Sequence, residues 1–320
     1  MPNKLPLDPV EFSFWTPPAD SSLTAGPDQT CIPLPQIPLP LHAAHFAGDQ
    51  EPTDRMIGEG LYAYLRRFPD CPENFHYARL LQQAFPYYVA DLGSQIIMLE
   101  AKEVDPPYIR RKISYLKILA LLEPDNFGLL QRIGVAYFEL AMIYTELIHV
   151  RRELGHARLW LKKAWEINCN DLGSLNYLGQ ICYLVGDYDQ AGQHWQQLIA
   201  LLPSGPARSQ LQARVDALAA SDRSDPPLIE GLEAIGVAME HYREREYPEA
   251  CFIMERLEED GGLTAALPNS EFFYFLGLCR VKTEDPAGAF EAFSKALEIN
   301  PQNAGAEQEL QRILDGGDER

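Results

Sequence analysis

The chain has 320 residues, of which 46 are acidic and 27 basic, so its formal net charge is -19 at pH 7. This charge argues against a nucleic-acid-binding protein, because phosphate neutralisation needs clustered Lys and Arg side chains. Hydrophobic residues make up 46% of the sequence, which is enough for a packed core and excludes disorder of the whole chain.

The six cysteines are scattered along the chain without a CxxC pair, which indicates neither a zinc site nor a disulfide framework. Residues 1–15 lack the apolar core of a secretory signal, and no run of 18 apolar residues predicts a membrane span. We therefore expect a cytoplasmic protein with reduced thiols and no membrane span.

Proline concentrates at the start of the chain, where residues 1–52 hold 11 of the 25 prolines. Proline lacks a backbone donor, so this segment is predicted to form an extended, polyproline-II-like arm rather than a helix or a central strand. Its apolar side chains favour packing on the protein's own helices or on another chain over an SH3-type ligand role for the PxxP sequence at residues 35–38. The expected arm contacts are Phe12, Phe14, Trp15, Leu34 and Leu39.

From about Asp54 onward, apolar residues recur at the spacing of an amphipathic helix, as in Leu130, Ile133, Tyr137 and Leu140. Prolines separate these helix-length segments, and period-2 alternation with hairpin turns is missing, so we expect an all-α fold without a sheet.

Two segments of the helical part share one spacing of large and small residues, with offsets of 3, 4, 16, 20, 23 and 28 from the first large residue. The first series is Leu175, Leu178, Gly179, Ala191, Trp195, Leu198 and Pro203. The second series is Phe273, Leu276, Gly277, Ala289, Phe293, Ala296 and Pro301.

This spacing resembles the tetratricopeptide repeat (TPR), a helix–turn–helix unit of about 34 residues. The resemblance implies a right-handed superhelical array of antiparallel helix pairs, here preceded by the Pro-rich arm. The small residues let two helices approach closely, and the aromatic fills the gap to the next pair, so repeats must stack to cover their apolar faces.

Three further copies match the repeat more loosely. Leu92-Gly93 and Pro124 fit with seven extra residues, and Gly134 and Ala157 fit with eleven, which we expect to lengthen both helices of the hairpin into a protrusion of roughly 8 Å. A second helix around Tyr247–Leu257 follows a first helix that lacks the Leu-Gly pair.

Together these signals predict one quasi-linear array behind an arm. The predicted parts are the Pro-rich arm 1–52, a divergent helical, TPR-like part 53–125, TPR repeats 126–204 with one lengthened hairpin, a spacer helix and linker 205–230, C-terminal TPR repeats and a capping helix 231–314, and a tail 315–320.

TPR arrays commonly bind a peptide or a helix in the concave groove lined by the first helix of each pair. Through the resemblance, the groove positions of this chain are Gln131, Phe138, Asn176, Gln180, Tyr183, Tyr274 and Leu278. The alternative is that several of them pack on the next repeat. None of the seven is a cation, so a clamp for the C-terminal carboxylate of a heat-shock protein is not expected.

An enzyme or metal protein is the remote alternative. Glu73-x-x-His76 and Glu153-x-x-His156 each match half of a di-iron motif, but that site also needs a glutamate from each of two further helices, and two such pairs among 46 acidic residues and seven histidines are plausible by chance. Gly-rich phosphate loops and nucleophile elbows are missing from the sequence as well. We therefore predict no enzymatic activity, catalytic residues, metal ligands or cofactors.

Charge is distributed unevenly. Residues 1–52 carry -5 and residues 228–320 carry -12, whereas the middle of the chain is near neutral and has basic clusters at 110–117 and 151–163. Most such clusters are solvated helix faces, but the sharper hypothesis is a protein with two charged faces, a basic one that binds an acidic partner and the acidic C-terminal repeats that bind a basic one. The sequence thus predicts an adaptor or assembly chaperone that binds a protein segment in its groove, or alternatively a structural subunit of a larger complex.

Overall fold

The computed structural model describes residues 11–25, 29–46, 51–100, 105–220 and 226–317. The chain divides into two compact units. One unit comprises Met1–Tyr137 and Trp160–Cys169, and the other comprises Phe138–Leu159 and Asn170–Arg320.

The arm of the first unit forms paired strands. The strands are β1 (Phe12–Trp15), β2 (Ser22–Ala25), β3 (Thr30–Pro33) and β4 (Leu39–His42), with β1 antiparallel to β4 and β2 antiparallel to β3. The prediction of a polyproline-II-like arm without a sheet is therefore wrong for the described part of the arm; residues 1–10, 26–28 and 47–50 of the predicted arm lie outside it. Prolines are compatible with these strands because a strand in a two-stranded ladder pairs along one edge only, so Pro33 and Pro40 need no donor on the other edge.

The arm packs on the first two helices, α1 (Asp54–Arg67) and α2 (Asn74–Ala84). Gly60 of α1 lies so close to Pro40 of β4 that a Cβ atom would come within 3.0 Å of the backbone there. The Tyr77 hydroxyl of α2 donates a hydrogen bond to the carbonyl of Pro38. Leu39 and Leu41 are fully buried against this surface.

After residue 53 every described element is a helix, which confirms the all-α prediction for that part. The next four helices are α3 (Pro86–Glu100), α4 (Pro106–Leu122), α5 (Phe127–Ala141) and α6 (Val150–Ile167). Gly134 faces Leu161 at a close crossing, as the repeat pattern predicts. Gly93 has no atom within 4 Å of its Cβ position, so the match at Leu92-Gly93 does not mark a helix crossing.

Two helix pairs of the second unit share the same crossing of a glycine and an aromatic ring. The helices of this unit are α7 (Leu172–Leu184), α8 (Tyr188–Leu201), α9 (Pro206–Ala220), α10 (Leu228–Glu244), α11 (Tyr247–Asp260), α12 (Gly262–Ala266), α13 (Ser270–Lys282), α14 (Pro286–Ile299) and α15 (Ala304–Gly317). Gly179 lies against Trp195 in the α7–α8 pair, and Gly277 against Phe293 in the α13–α14 pair. This recurrence, with identical spacing, is the TPR-like feature of the fold. The right-handed superhelix stays a prediction.

The insertion between α5 and α6 does not form the predicted protrusion. The two helices have 15 and 18 residues, somewhat more than the 13 and 14 of α7 and α8, but Tyr144–His149 between them forms a 3₁₀ helix that packs on α10. Gly236 of α10 lies directly on the backbone at Ile148, and Leu147 is buried. The insertion carries apolar side chains that gain free energy from burial, which a projecting hairpin would expose to water.

The stacking order in the second unit therefore differs from the sequence order. Helix α9 packs on α8, whereas α10, the next helix in sequence, packs on the 3₁₀ helix. Arg151 at the start of α6 reinforces this contact with a bidentate ion pair to Glu233, at 2.7 and 2.6 Å. The C-terminal repeats therefore continue from the inserted segment and not from α9.

Among the helices in the described ranges, none alone has the length and apolar composition of a membrane span. One bent pair, Phe127–Ala141 with Tyr144–Ile167, passes this criterion jointly, with an angle of 106° between its parts.

Candidate protein-binding cleft

An open cleft of about 460 Å³ lies between α7 and α9 in the second unit. We call it the α7–α9 cleft. Its lining residues are Leu172, Gly173, Asn176, Leu198, Leu202, Ala207, Gln210, Leu211 and Arg214. Most of these side chains are apolar, and the polar groups among them are two amides and one guanidinium. This composition suits a short peptide segment, whose backbone needs hydrogen bonds and whose side chains need apolar contacts.

The two helices that form the sides of the cleft are fixed by different local contacts. Helix α7 is capped by Asp171, whose carboxylate accepts a hydrogen bond from the backbone N–H of Ser174 at 2.7 Å. Helix α9 is held by Val215 and Leu218, which pack into the core cluster around Trp195. The remaining face of α9 is thus available to line the cleft.

Arg214 is the charged group of the cleft, and Trp195 positions it. The guanidinium carbon lies 5.4 Å from the centre of the indole ring, a cation–π distance. No carboxylate lines this cleft, although the chain as a whole carries -19. An uncompensated guanidinium beside an apolar floor favours a ligand that carries a carboxylate.

The seven predicted groove residues lie in two kinds of environment. Asn176 lines the cleft, and Gln131 and Gln180 are half-buried on the first helices of their pairs. Phe138 is half-buried and contacts Tyr177 edge to face, with ring centres 5.1 Å apart.

The other three predicted groove residues contact the core. Tyr183 packs on Tyr188 and Trp195 of α8, with ring centres 5.8 Å apart in both pairs. Tyr274 contacts Phe293 and lies over Gly305, and Leu278 packs on the cluster of α14 and α15. These side chains join a helix pair to the helix that follows.

The arm residues also fall into two groups. Leu34 and Leu39 are buried, and Phe12 is half-buried, with ring centres 5.2 Å from Tyr64 of α1. Trp15 is half-buried, and Phe14 contacts the same Tyr64 ring edge to face while 52% of its surface stays exposed.

Two lining residues, Gln210 and Arg214, are not among the predicted groove residues, because they lie on the predicted spacer helix. They stand 34 residues after Asn176 and Gln180, which is one TPR period. This period is the sequence signal that identifies them. The copy was hidden because Ser209 and Gln212 replace the large residues that mark the motif.

The Glu-x-x-His pairs do not assemble a metal centre. Glu73 and His76 lie 4.0 Å apart on an exposed turn of helix, and the buried Glu153 accepts a hydrogen bond from Arg152 at 2.7 Å. In the part of the chain that the structure describes, no three His, Cys, Asp or Glu side chains are grouped to hold a metal ion.

No protein-family model matches the sequence, and no curated protein does either. Solved structures that align with the chain include a thermophilic TPR protein of Thermus thermophilus, at 14% identity over 81% of this chain and 90% of the other, with a TM-score of 0.27. A tetratricopeptide repeat protein of Parabacteroides merdae aligns at 14% identity over 81% and 92%, with a TM-score of 0.28. The APC/C hetero-tetramer Cut9–Hcn1 aligns at 12% identity over 81% and 52%, also with a TM-score of 0.28.

The TPR-like assignment rests on the recurring glycine–aromatic crossings within the chain itself.

Proposed function

We propose that this chain is a non-enzymatic adaptor that binds a segment of a partner protein in the α7–α9 cleft. The observation that carries the proposal is the lining of the cleft, an apolar floor beside two amides and one guanidinium without a carboxylate. All six cysteines are free thiols, which fits a reducing compartment, and we include a cytoplasmic location in the proposal.

Each part of the lining has a role in this proposal. Leu198, Leu202 and Leu211 would cover one apolar side chain of the segment, and such burial contributes roughly 25 cal/mol per Å². The amides of Asn176 and Gln210 would pair with its backbone N–H and C=O groups. Arg214, held over Trp195, would pair with a carboxylate.

An affinity pull-down with mass spectrometry tests the proposal. The triple variant Asn176→Ala/Gln210→Ala/Arg214→Ala should lose a partner that the wild-type chain retains. The matched control, Gln193→Ala/Gln196→Ala/Gln212→Ala, changes three exposed side chains of α8 and α9 outside the cleft and should retain it. Identical partner lists for the wild type and the first variant would refute binding in this cleft.

The acidic C-terminal repeats support a second contact within the same function. Residues 228–320 carry a net charge of -12, so we propose that a basic partner surface binds there. Its capture should fall steeply between about 50 and about 300 mM salt, because the screening length shortens over this range. Salt-independent capture would contradict a charge-driven contact.

A structural subunit of a larger complex is the second candidate, and helix α3 favours it. Tyr87, Ile97 and Met98 of this helix are 58%, 69% and 62% exposed. Large apolar side chains that are exposed together on one helix are typical of a surface that another protein covers. Size-exclusion chromatography with light scattering distinguishes the two. A stable, soluble monomer would argue against an obligate subunit.

A further inference from the structure

A second open cleft of about 370 Å³ lies in the first unit, between α4 and the C-terminal part of α6. We call it the α4–α6 cleft. It is lined by Lys117, Ala120, Leu121, Pro124, Leu130, Trp160, Lys163, Glu166 and Ile167. Helix α6 is the second helix of the α5–α6 pair, which crosses at Gly134 and Leu161, and α4 precedes that pair, whereas α7 of the first cleft is the first helix of its pair. The α4–α6 cleft is therefore not the peptide groove that the TPR resemblance implies.

Trp160 lines this cleft, and two ammonium groups lie near its indole ring. The Nζ atom of Lys163 is 4.7 Å from its ring centre, and that of Lys117 is 5.9 Å away. Cations in this position are attracted to the face of the indole ring. The arrangement keeps two positive charges next to an apolar surface.

Lys117 is built into the site. Its side chain is only 11% exposed, and its Nζ atom is 2.7 Å from Asp70 Oδ2 and 5.4 Å from the ring centre of Tyr137. Burial lowers the pKa of this ammonium, but the hydrogen bonds to Asp70 and Tyr137 outweigh burial and raise the pKa above its ordinary value. Lys117 therefore stays charged at neutral pH.

Lys163 is the accessible cation of the pair. It is exposed, and no described carboxylate lies within ion-pair distance of it. Helix α4 contains four basic residues and no acidic one, and residues 160–167 of α6 contain two basic residues and one acidic residue. In a chain of net charge -19, this local excess of positive charge is the reverse of the overall trend.

We propose that the α4–α6 cleft binds an acidic segment of a partner protein, with a carboxylate on Lys163 and an adjacent apolar side chain beside Trp160 and Ile167. Ile167 is 45% exposed, so an apolar ligand group would cover surface that now faces water. An ion pair beside the indole ring is partly desolvated, so it is stronger than one on an open surface.

The probe is a fluorescein-labelled peptide, Gly-Asp-Leu-Glu-Asp-Phe-Glu-Leu-Asp-Gly, titrated with the full chain at about 150 mM salt and followed by anisotropy. Lys163→Glu should weaken binding about tenfold or more, because it replaces attraction by repulsion. Lys162→Glu makes the same charge change at the neighbouring position, which does not line the cleft, and should weaken binding less than about threefold. Circular dichroism checks that both variants are folded.

Two further measurements test the apolar half of the site. Binding should quench tryptophan fluorescence in the wild type, and Trp160→Phe should abolish the quench. Inorganic phosphate at equal concentration should not displace the peptide. Displacement by phosphate would show that charge alone is recognised, which would overturn the proposal.

The proposal is also overturned if the acidic peptide does not bind at about 1 mM, if its Asn/Gln counterpart binds equally well, or if Lys162→Glu and Lys163→Glu weaken binding equally. The variants of the α7–α9 cleft do not change this site, so the two proposals fail independently.

Discussion

Gly179 of α7 faces the indole ring of Trp195 on α8, and a Cβ atom at Gly179 would lie 2.5 Å from Cδ1 and 2.9 Å from Cε2 of that ring. Trp195 is fully buried, so the ring has no room to move aside. The same relationship recurs between Gly277 and Phe293. It explains why the repeat pattern needs a glycine at this position.

We expect Gly179→Ala to lower the free energy of unfolding by about 1–3 kcal/mol, because the added methyl group overpacks a rigid core. Urea denaturation followed by circular dichroism measures the change. Gly192→Ala on α8 is the matched control, since no atom lies within 4 Å of its Cβ position. It should leave stability unchanged or raise it by up to about 1 kcal/mol through helix propensity. A Gly179→Ala protein as stable as the wild type would refute the packing argument.

The contact between α10 and the 3₁₀ helix should depend on backbone fit more than on charge. A Cβ atom at Gly236 would lie 2.6 Å from the Cα of Ile148 and 2.8 Å from the carbonyl carbon of Leu147. Gly236→Ala should therefore cost about 2 kcal/mol or more and raise hydrogen exchange in Tyr144–His149.

Arg151→Ala should cost less than about 1 kcal/mol, since its ion pair with Glu233 is largely exposed. A cost of Arg151→Ala as large as that of Gly236→Ala would contradict the expectation that backbone fit matters more than charge at this contact.

The attachment of the arm can be tested through one hydroxyl group. Tyr77→Phe removes the hydrogen bond to the Pro38 carbonyl and keeps the buried ring, so we expect a loss of about 1 kcal/mol. Hydrogen exchange should rise at residues 29–46. Tyr87→Phe, at a position that is largely exposed, is the control and should leave exchange in the arm unchanged. Unchanged exchange in Tyr77→Phe would show that the arm is held by its leucines alone.

A buried amide connects the C-terminal helices. Asn303 donates hydrogen bonds to Ser270 Oγ at 2.9 Å and Glu271 Oε1 at 3.1 Å, and its Oδ1 accepts one from the backbone N–H of Ala306 at 3.0 Å. We expect Asn303→Ala to lower the free energy of unfolding by about 1–3 kcal/mol, because the buried Ser270 hydroxyl and the backbone N–H of Ala306 lose a hydrogen-bond partner. The exposed neighbour offers a control, and Gln302→Ala should change the melting temperature little.

The ion-pair cluster around Glu258 predicts a pH dependence. Burial raises the pKa of this carboxyl group, but Lys295 at 2.7 Å and Arg280 at 2.8 Å outweigh burial and hold the pKa below its ordinary value of 4.5. A depressed pKa stabilises the folded state above the unfolded-state pKa, and this contribution is lost as pH falls through the folded-state pKa.

Glu258→Gln should therefore lower the free energy of unfolding by about 1 kcal/mol at pH 7 and by progressively less below pH 4.5. Urea denaturation at pH 7 and at a series of pH values below 4.5 measures this difference. Glu291→Gln on α14, which changes an exposed carboxylate, should cost less than about 0.5 kcal/mol. A pH-independent cost of Glu258→Gln would contradict the assigned ion pairs.

Local sequence determined the helices and their crossings. The spacing of Leu178-Gly179 and Trp195 requires a close pair of helices, because only a residue without a side chain fits under a buried indole ring. The same physics applies to Gly277 and Phe293, which share the spacing. Such patterns are visible in a single sequence because both partners lie within one repeat.

The candidate sites were only partly visible in the sequence. Asn176 was predicted through the repeat, but Gln210 and Arg214 were hidden in a copy that lacks the marker residues. Tyr183 and Tyr274 occupy groove positions of the motif, yet their rings turn toward the core, where they gain more from burial than from water. Position in a repeat therefore does not decide which way a large side chain packs.

Contacts between segments that are distant in sequence became visible only in the folded structure. The pairing of Phe12–Trp15 with Leu39–His42, and the packing of Ile148 on Gly236, join residues about 30 and 90 positions apart along the chain. Periodicity describes one face of one helix and does not name the surface that covers it. The repeating helix pairs thus follow from local sequence, whereas the order in which they stack follows from tertiary packing, because many apolar faces compete for each apolar partner.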